Sequence, residues 1–269
     1  MLLVTVVSSV LAVGMFFKLA QEYMDQKQAF WLSILFLFLP ARYLVVRSIG
    51  SPEPLFLFLI MASVWGFIKK NYWLAGLAGA GAALTKSPGI LLFIVFIIFR
   101  LLKDKVITWQ RYLPLFLIPA ALLGLFSFYS RQYGDFLAYL NSGDNIHLQF
   151  LPFRVFDSNQ PWVGEHWLED VIWLYLFGLI GLIRLVSQKR LEMAIFVGVF
   201  LVSIFFVSHR DVSRYALPIM PFVLTSVGEW FNVKQLKFIF WVIILPVFLY
   251  SINFIVGNVM PIADWSPLF

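Results

Sequence analysis

Residues 45–58, VVRSIGSPEPLFLF, separate two long apolar runs with an arginine, two prolines and a glutamate. Ser51 followed by Pro52 is the order of residues that is typical of a helix N-terminus, with serine as N-cap and proline as the first helical residue. The segment therefore predicts a turn that ends one apolar helix and begins the next. Its charged residues raise the question of whether the turn also belongs to a binding site.

The composition around this turn is that of a membrane protein. The chain has 269 residues, of which 61% are apolar and 13% charged, and its mean hydropathy is +0.88. Soluble domains are about half apolar and about a quarter charged. We therefore expect an all-α, polytopic bundle of transmembrane helices in a single domain, residues 1–269, with no sizeable soluble part.

Other classes of protein fit the sequence less well. The net charge is +6. In a membrane protein such an excess mainly reflects the Lys and Arg residues of cytoplasmic loops, so nucleic acid is not expected as a partner. The chain has no cysteine, which excludes disulfides and thiolate chemistry. The first apolar run lacks the basic start and cleavage site of a signal peptide.

Ten apolar runs predict about ten membrane helices, because a lipid-spanning helix takes about 20 residues. The runs are 2–17, 30–46, 54–68, 73–85, 88–102, 112–130, 168–186, 191–208, 215–231 and 237–257. The remaining long polar stretch, 131–167, is predicted to be an extracytoplasmic loop. The charge rule for membrane topology places 18–29 in the cytoplasm. The outer side then holds a minority of the cations, namely Arg42, Arg47, Lys86, Arg131, Arg154, Arg210 and Arg214.

Residues 72–102 are short for two passes, and a single pass would invert everything that follows. The charge rule favours two short passes. A helix over 73–85 would span only about 20 Å, less than the ~30 Å hydrocarbon core. We therefore expect the turn at Lys86 to lie below the outer surface and to line a cavity.

Two Ser-Pro junctions open helices on the predicted outer side, at Ser51 and Ser87. Helix N-termini carry partial positive charge and free N–H groups, which favour phosphate. Arg47 and Lys86 flank these two ends, so we interpret them as substrate-binding residues. The alternative is that Ser-Pro marks an ordinary helix start.

Glu53, in the first turn of its helix, is the next candidate for the substrate site. A carboxylate at a membrane edge is costly unless it is paired or hydrated. The helix dipole would stabilise this carboxylate whatever its role, so a purely structural function remains open.

Residues 205–222, FFVSHRDVSRYALPIMPF, concentrate polar side chains before a proline-broken helix. His209, Arg210, Arg214 and Tyr215 are candidate substrate-binding residues, because arginine holds phosphate oxygens in a fork of donors. The alternative is an interfacial belt in which Arg and Tyr extend towards lipid headgroups.

The loop 131–167 carries carboxylates and imidazoles that would suit a divalent cation or sugar hydroxyls. No spacing is diagnostic of a metal site, so no metal ligand is assigned and a solvated loop is the default interpretation. The candidate groups are Asp135, Asp144, His147, Asp157, Glu165 and His166, with Glu169 and Asp170 at the entry to the next helix. The segment YGDFLAYL, 133–140, looks amphipathic and is expected to lie on the membrane surface.

Four segments together resemble the GT-C membrane glycosyltransferases, in particular the mannosyltransferase-like branch related to the GPI mannosyltransferases. They are LPARYLVVRSIGSPEPLFLF with Glu53, AALTKSPGILL at 82–92, and the pair YGDFLAYL and SRYALPIMPF at 133–140 and 213–222. The resemblance covers most of residues 30–225. It implies an enzyme that transfers mannose or another sugar from a polyprenyl-phosphate carrier to a lipid, glycan or protein acceptor on the extracytoplasmic face.

The resemblance also implies where the catalytic base should be. In the family an acidic residue in the first outer loop takes the acceptor proton. This chain opens as the family's second helix does, so the base is expected upstream of residue 1. Glu53 corresponds to the acidic residue that opens a later span, not to that base.

Two other functions remain open from the sequence. A transporter or lipid flippase usually has ionisable residues near mid-membrane or inverted repeats, and the sequence shows neither. An inactive or partner-dependent membrane scaffold would tolerate loss of Glu53 and Arg214. Short loops and compact size favour a prokaryotic plasma membrane.

Overall fold

The computed structural model describes residues 1–103, 109–141, 148–160, 162 and 168–257. Most of these residues are helical, and within the same ranges the only extended pairing is an isolated bridge between Leu148 and Val207. The all-α class predicted from the sequence is confirmed.

The helices of the first half follow the apolar runs closely. They are α1 Leu2–Ala20, α2 Gln26–Phe36, α3 Ala41–Ser48, α4 Glu53–Ile68, α5 Tyr72–Thr85, α6 Leu91–Lys103, the short α7 Trp109–Tyr112, and α8 Leu117–Tyr133. The second half contains α9 Ala138–Asn141, α10 Glu169–Ser187, α11 Leu191–Phe205, α12 Val212–Tyr215, α13 Met220–Ser226 and α14 Lys234–Gly257.

Within the described residues, four helical segments are individually long and apolar enough to cross a membrane: Leu2–Ala20, Gln110–Tyr133, Glu169–Ser187 and Lys234–Gly257. A fifth crossing would combine α2 and α3, which are bent by 68°. Pro40 lies at this bend and disfavours helical geometry at the residue before it. Every predicted apolar run contains helix, but about ten crossings are not confirmed by helix length.

Helices α1 and α4 run parallel, since both pairs of their ends are joined. At one end Thr5 Oγ1 donates to the Ser51 carbonyl at 3.0 Å and accepts from the Ser51 N–H at 3.0 Å. At the other end Lys69 Nζ donates to Glu22 Oε2 at 2.6 Å. Trp65 Nε1 also donates to Glu22, at 3.1 Å.

Helices α5 and α6 run in opposite directions, and each contacts α4. Phe96 of α6 stacks on Phe67 near the end of α4, with ring centroids 4.2 Å apart. Arg100 Nη2 donates to the Tyr72 hydroxyl at 2.6 Å, so the end of α6 meets the start of α5. The chain therefore reverses at Lys86, as predicted for residues 72–102.

A close contact fixes α5 against the segment that precedes α8. A Cβ atom added at Gly76 would lie 2.0 Å from the carbonyl oxygen of Pro114. Only glycine permits this approach, which agrees with the use of small residues where membrane helices pack closely.

In the second half, the connections between helices also lie at the two ends of the bundle. Arg184 Nε donates to the Ser226 carbonyl and Arg190 Nη1 to the Thr225 carbonyl, both at 2.9 Å. At the opposite end the loop returns to α11, where the N–H of Gln149 donates to the Phe206 carbonyl at 2.8 Å. Arg214 Nε donates to Glu53 Oε1 at 2.6 Å, so the segment 206–214 lies at the same end of the bundle as Ser51 and Lys86.

Candidate functional site

Glu53 is the centre of a charged cluster at this end of the bundle. Its side chain is only 2% exposed. Oε1 accepts from Lys86 Nζ at 2.9 Å and from Arg214 Nε at 2.6 Å. The Ser51 hydroxyl donates to Oε2. One carboxylate thus joins three chain segments that are far apart in sequence, and the ionised trio of Glu53, Lys86 and Arg214 carries one surplus positive charge.

The Ser-Pro junction at 51–52 forms a helix start, but one residue later than predicted. The first α-helical residue is Glu53, and Pro52 occupies the N-cap position. Ser51 Oγ still accepts from the Glu53 N–H, at 3.4 Å. The carboxylate therefore lies in the first turn, where the helix dipole favours negative charge.

Lys86 reaches Glu53 because a 3₁₀ turn, Ser87–Ile90, lies between α5 and α6. The N-cap of this turn is Lys86, without a side-chain cap, and not Ser87 as predicted; the Ser87 hydroxyl pairs with the Tyr139 hydroxyl at 3.3 Å. A Cβ at Gly89 would lie 2.4 Å from the Ala83 nitrogen. The turn thus depends on glycine to pack against α5 and so to aim Lys86 at the cluster.

Arg214 lies in α12 and is held from a neighbouring helix. The Arg42 side chain of α3, which is buried, forms an ion pair with Asp211, three residues before Arg214. Arg214 remains 41% exposed, and among the described residues Glu53 is the one side chain to which its guanidinium donates a hydrogen bond. Its terminal amino groups are therefore available to an anionic ligand.

The charged cluster forms part of the wall of an apolar cavity of about 380 Å³. Most of the lining comes from aliphatic and aromatic side chains, as in typical ligand pockets. These side chains are Phe56, Leu57, Ile90, Leu91, Leu122, Phe126, Leu140, Leu148, Phe200, Ile204, Val207 and Leu217. Lys86 lines the cavity, as predicted from its short flanking helices, together with Glu53, Arg214 and Tyr215.

The predicted site residues divide into those at the cavity and those away from it. His209 packs its ring 5.6 Å from that of Tyr215, and its Nδ1 accepts from the Asp211 N–H at 2.9 Å. Arg210 is exposed and does not line the cavity. Arg47 lines a different cleft, away from Lys86, and its role as a substrate-binding residue stays a prediction.

Two features were not predicted from the sequence: the ion pair of Arg42 with Asp211, and the lining of the cavity by residues of α8 and α11. Arg42 was counted only as one of the outer cations. Its position inside the apolar segment LPARYL was an available signal, because ionisable residues within membrane segments are usually paired and functional. The contributions of α8 and α11 to the wall had no sequence signal, since apolar residues there fit any buried or lipid-facing helix.

The loop candidates are only partly described. Asp144, His147, Glu165 and His166 lie outside the described residues. Asp135 accepts from the Leu137 N–H and from Asn141 Nδ2, each at 2.8 Å, and the short helix α9 follows. The N–H of Asn159 donates to Asp157 Oδ1 at 3.0 Å and lowers the pKa of that carboxyl.

A metal site is not formed by the described part of the chain. Within it, no group of three or more His, Cys, Asp or Glu side chains is placed to hold an ion. The chemistry of the described site is therefore that of cations, one carboxylate and an apolar cavity.

Comparisons with protein-family models, with curated proteins and with solved structures found no significant match to this chain.

Proposed function

We propose that the protein is a membrane glycosyltransferase of the GT-C type that takes a sugar from a polyprenyl-phosphate carrier. The observation that carries the proposal is the contact of the apolar cavity with the Glu53, Lys86 and Arg214 cluster. A ligand that suits both parts has a hydrocarbon chain and an anionic headgroup. A polyprenyl-phosphate sugar has both.

The charge balance favours an anion at this site. Lys86 and Arg214 share one carboxylate oxygen, so the cluster lacks one negative charge. A phosphate can supply it through charge-assisted hydrogen bonds, which are roughly twice as strong as neutral ones. Arginine is suited to this role because its planar guanidinium binds phosphate oxygens in pairs.

The same residues suit the transfer step. The acceptor oxygen attacks the anomeric carbon of the sugar, the bond from that carbon to the phosphate oxygen breaks, and the phosphate keeps the electron pair. Lys86 and Arg214 would stabilise the charge that develops on the leaving phosphate. The acceptor hydroxyl loses its proton to a base.

Glu53 is better placed to position the cations than to act as that base. Lys86, Arg214 and Ser51 all donate to its two oxygens, and a general base needs a free lone pair within reach of the acceptor hydroxyl. We therefore assign Glu53 a positioning role. No residue of this chain is assigned as the base.

The topology forms part of the proposal. We infer about ten membrane crossings in one GT-C-like domain of a prokaryotic plasma membrane. Helices α4, α5, α6 and α11 would be short crossings between the longer spans. Reporter fusions that place Lys86 and Arg214 on opposite sides of the membrane would exclude the proposed site.

The first experiment separates phosphate recognition from binding of the chain. The full-length protein in detergent would be titrated with polyprenyl phosphate and with the uncharged polyprenol of equal length, and native mass spectrometry would measure binding. We expect Arg214→Gln to weaken polyprenyl phosphate about tenfold, the loss of one charge-assisted hydrogen bond, and to leave polyprenol unchanged. Arg210→Gln is the matched control.

The second experiment tests catalysis. Proteoliposomes would receive a radiolabelled polyprenyl-phosphate sugar and membrane lipid extract as acceptor, and new glycosidic product would be separated by chromatography. Product that is lost in Arg214→Gln and kept in Arg210→Gln supports the proposal. Sugar-lipid flux without a new glycosidic bond would identify a transporter. Unchanged cellular function in Arg214→Gln and Glu53→Ala would identify a scaffold.

A further inference from the structure

A second cleft lies between α1 and the bent pair α2 and α3. Its volume is about 290 Å³, and its lining residues are Val6, Ser9, Val10, Val13, Leu37 and Arg47. It shares no lining residue with the cavity at Glu53. The proposed glycosyltransferase function therefore leaves this cleft without a role.

On the α1 side, the cleft is lined by a row of apolar side chains that a hydrocarbon chain could contact along its length. Val6, Val10 and Val13 are spaced by four and three residues, which places them along one helix face. They span about 10 Å at 1.5 Å per residue. Val6 and Val10 are exposed, and α1 is long and apolar enough to cross a membrane. If α1 crosses the membrane, this face would meet the acyl chains of the bilayer.

Arg47 gives the cleft a positive charge. Its Nε is buried and has no hydrogen-bond partner among the described residues. The other cations of the region, Arg42, Lys86 and Arg214, each pair with a carboxylate. Within the described ranges Arg47 has no such pair, and its guanidinium carbon lies 5.8 Å from the centroid of the Phe38 ring.

An unpaired cation beside an apolar, lipid-facing cleft has a specific chemical complement. Desolvation of the guanidinium is costly unless an anion accepts its hydrogen bonds. Choline or ethanolamine groups would place a second cation near Arg47, with no described carboxylate to balance it. A lipid with a net negative headgroup supplies the missing charge, and its acyl chain can cover the valines.

We propose that this cleft is a binding site for one anionic glycerophospholipid, with its phosphate on Arg47 and an acyl chain along Val6, Val10 and Val13. The site is separate from the proposed donor site. Ser51 connects the two regions, since it bonds both to Thr5 of α1 and to Glu53.

The test uses the full-length protein after removal of bound lipid in detergent. Native mass spectrometry would measure binding of phosphatidylglycerol and of phosphatidylcholine with the same acyl chains. Arg47→Gln should weaken phosphatidylglycerol binding about tenfold and weaken the lower-affinity phosphatidylcholine binding by less, because the choline already offsets the charge of its phosphate. Val10→Trp fills the cleft and should reduce the binding of both lipids.

Matched controls come from neighbouring positions. Arg210→Gln removes an exposed cation, and Val7→Trp enlarges an exposed residue of α1 that does not line the cleft. Neither change should affect phosphatidylglycerol binding. If Arg47→Gln fails to fold, the comparison of Val10→Trp with Val7→Trp tests the same cleft.

Three outcomes would overturn the site. They are equal loss of phosphatidylglycerol in Arg47→Gln and Arg210→Gln, equal effects of Val10→Trp and Val7→Trp, and full competition by soluble glycerol phosphate, which would mean that the headgroup binds without the cleft. Retained binding of polyprenyl phosphate in Arg47→Gln would show that the donor site is intact, so either proposal can fail alone.

Discussion

Glu22 and Glu53 are two carboxylates at opposite ends of parallel helices, and each pairs with a lysine at short distance. Lys69 Nζ lies 2.6 Å from Glu22 and Lys86 Nζ lies 2.9 Å from Glu53. The Glu22 pair is open to its surroundings, with side-chain exposures of 45% for Lys69 and 24% for Glu22. Glu53 is 2% exposed and binds a second cation.

The difference shows that distance alone does not identify a site. An exposed pair contributes about 0–1 kcal/mol, because solvent screens it and side-chain entropy opposes it. Breaking a buried pair costs about 3–5 kcal/mol, because the remaining charge stays buried. The Glu53 cluster is therefore both a structural requirement and a fixed source of positive charge beside an apolar cavity.

The largest effect is expected for Glu53→Ala. Lys86 and Arg214 would lose their shared acceptor, which should lower stability by about 3–5 kcal/mol. Thermal unfolding followed by size-exclusion chromatography in detergent would measure the change. Glu22→Ala is the control at the other end. Equal losses in the two variants would contradict the contrast between the ends.

A second variant sharpens the same result. Combining Glu53→Gln with Lys86→Met removes one cation and leaves an uncharged acceptor for Arg214. This double variant should be more stable than Glu53→Ala, because less uncompensated charge stays buried. A double variant that is as unstable as Glu53→Ala would show that the cluster acts through packing rather than charge.

Asp211→Asn should have the next largest effect. Arg42 is buried and Asp211 half-buried, so loss of the carboxylate should cost about 3 kcal/mol, the lower end for a buried pair. Since Asp211 also holds the segment that carries Arg214, polyprenyl phosphate should bind more weakly. Unchanged binding of polyprenyl phosphate would mean that the Arg42–Asp211 ion pair does not position Arg214 for the ligand.

Gly89→Ala tests the turn that aims Lys86. The added methyl would lie 2.4 Å from the Ala83 nitrogen, and overpacking of this kind costs about 1–3 kcal/mol. Gly124→Ala, where a Cβ meets no atom within 4 Å, is the control. A melting temperature that falls only for Gly89→Ala is the expected result, and equal behaviour of the two would contradict it.

The smallest effect is expected for Lys69→Met at the exposed pair. Its loss should change stability by less than about 1 kcal/mol, and high salt should reduce the difference further. A loss comparable to that of Glu53→Ala would mean that the two ends of the bundle are not energetically distinct.

Much of the helical arrangement could be predicted from apolar runs and breakers. The Ser-Pro pairs predict helix starts within a residue or two, and charge placement predicts the reversal at Lys86. The break at Pro40, inside the run 30–46 that was expected to form one helix, is not predicted. The number of long spans could not be predicted, because helix length depends on where turns such as Ser87–Ile90 form. A hydropathy run does not distinguish one straight helix from a short helix with a 3₁₀ extension.

The candidate site was predicted only in part. Lys86, Glu53 and Arg214 were nominated from charge and helix ends, but nothing in the sequence assigned both cations to one carboxylate. Arg47 and Lys86 are both cations that precede a Ser-Pro helix start, yet only Lys86 reaches the cluster. Arg47 lies on α3, which is bent by 68° from α2. Partner choice depends on such angles, which local residue patterns do not encode.

The contact between Gly76 and Pro114 also affects how mutational surveys of this protein should be interpreted. Any side chain at position 76 would meet a backbone oxygen at 2.0 Å, so a saturation scan should find the position as intolerant as a ligand contact. Yet Gly76 lines neither the apolar cavity at Glu53 nor the cleft at Arg47. If positions were ranked by intolerance to substitution alone, Gly76 could not be distinguished from the residues that bind a ligand. Scoring binding and abundance separately would distinguish them.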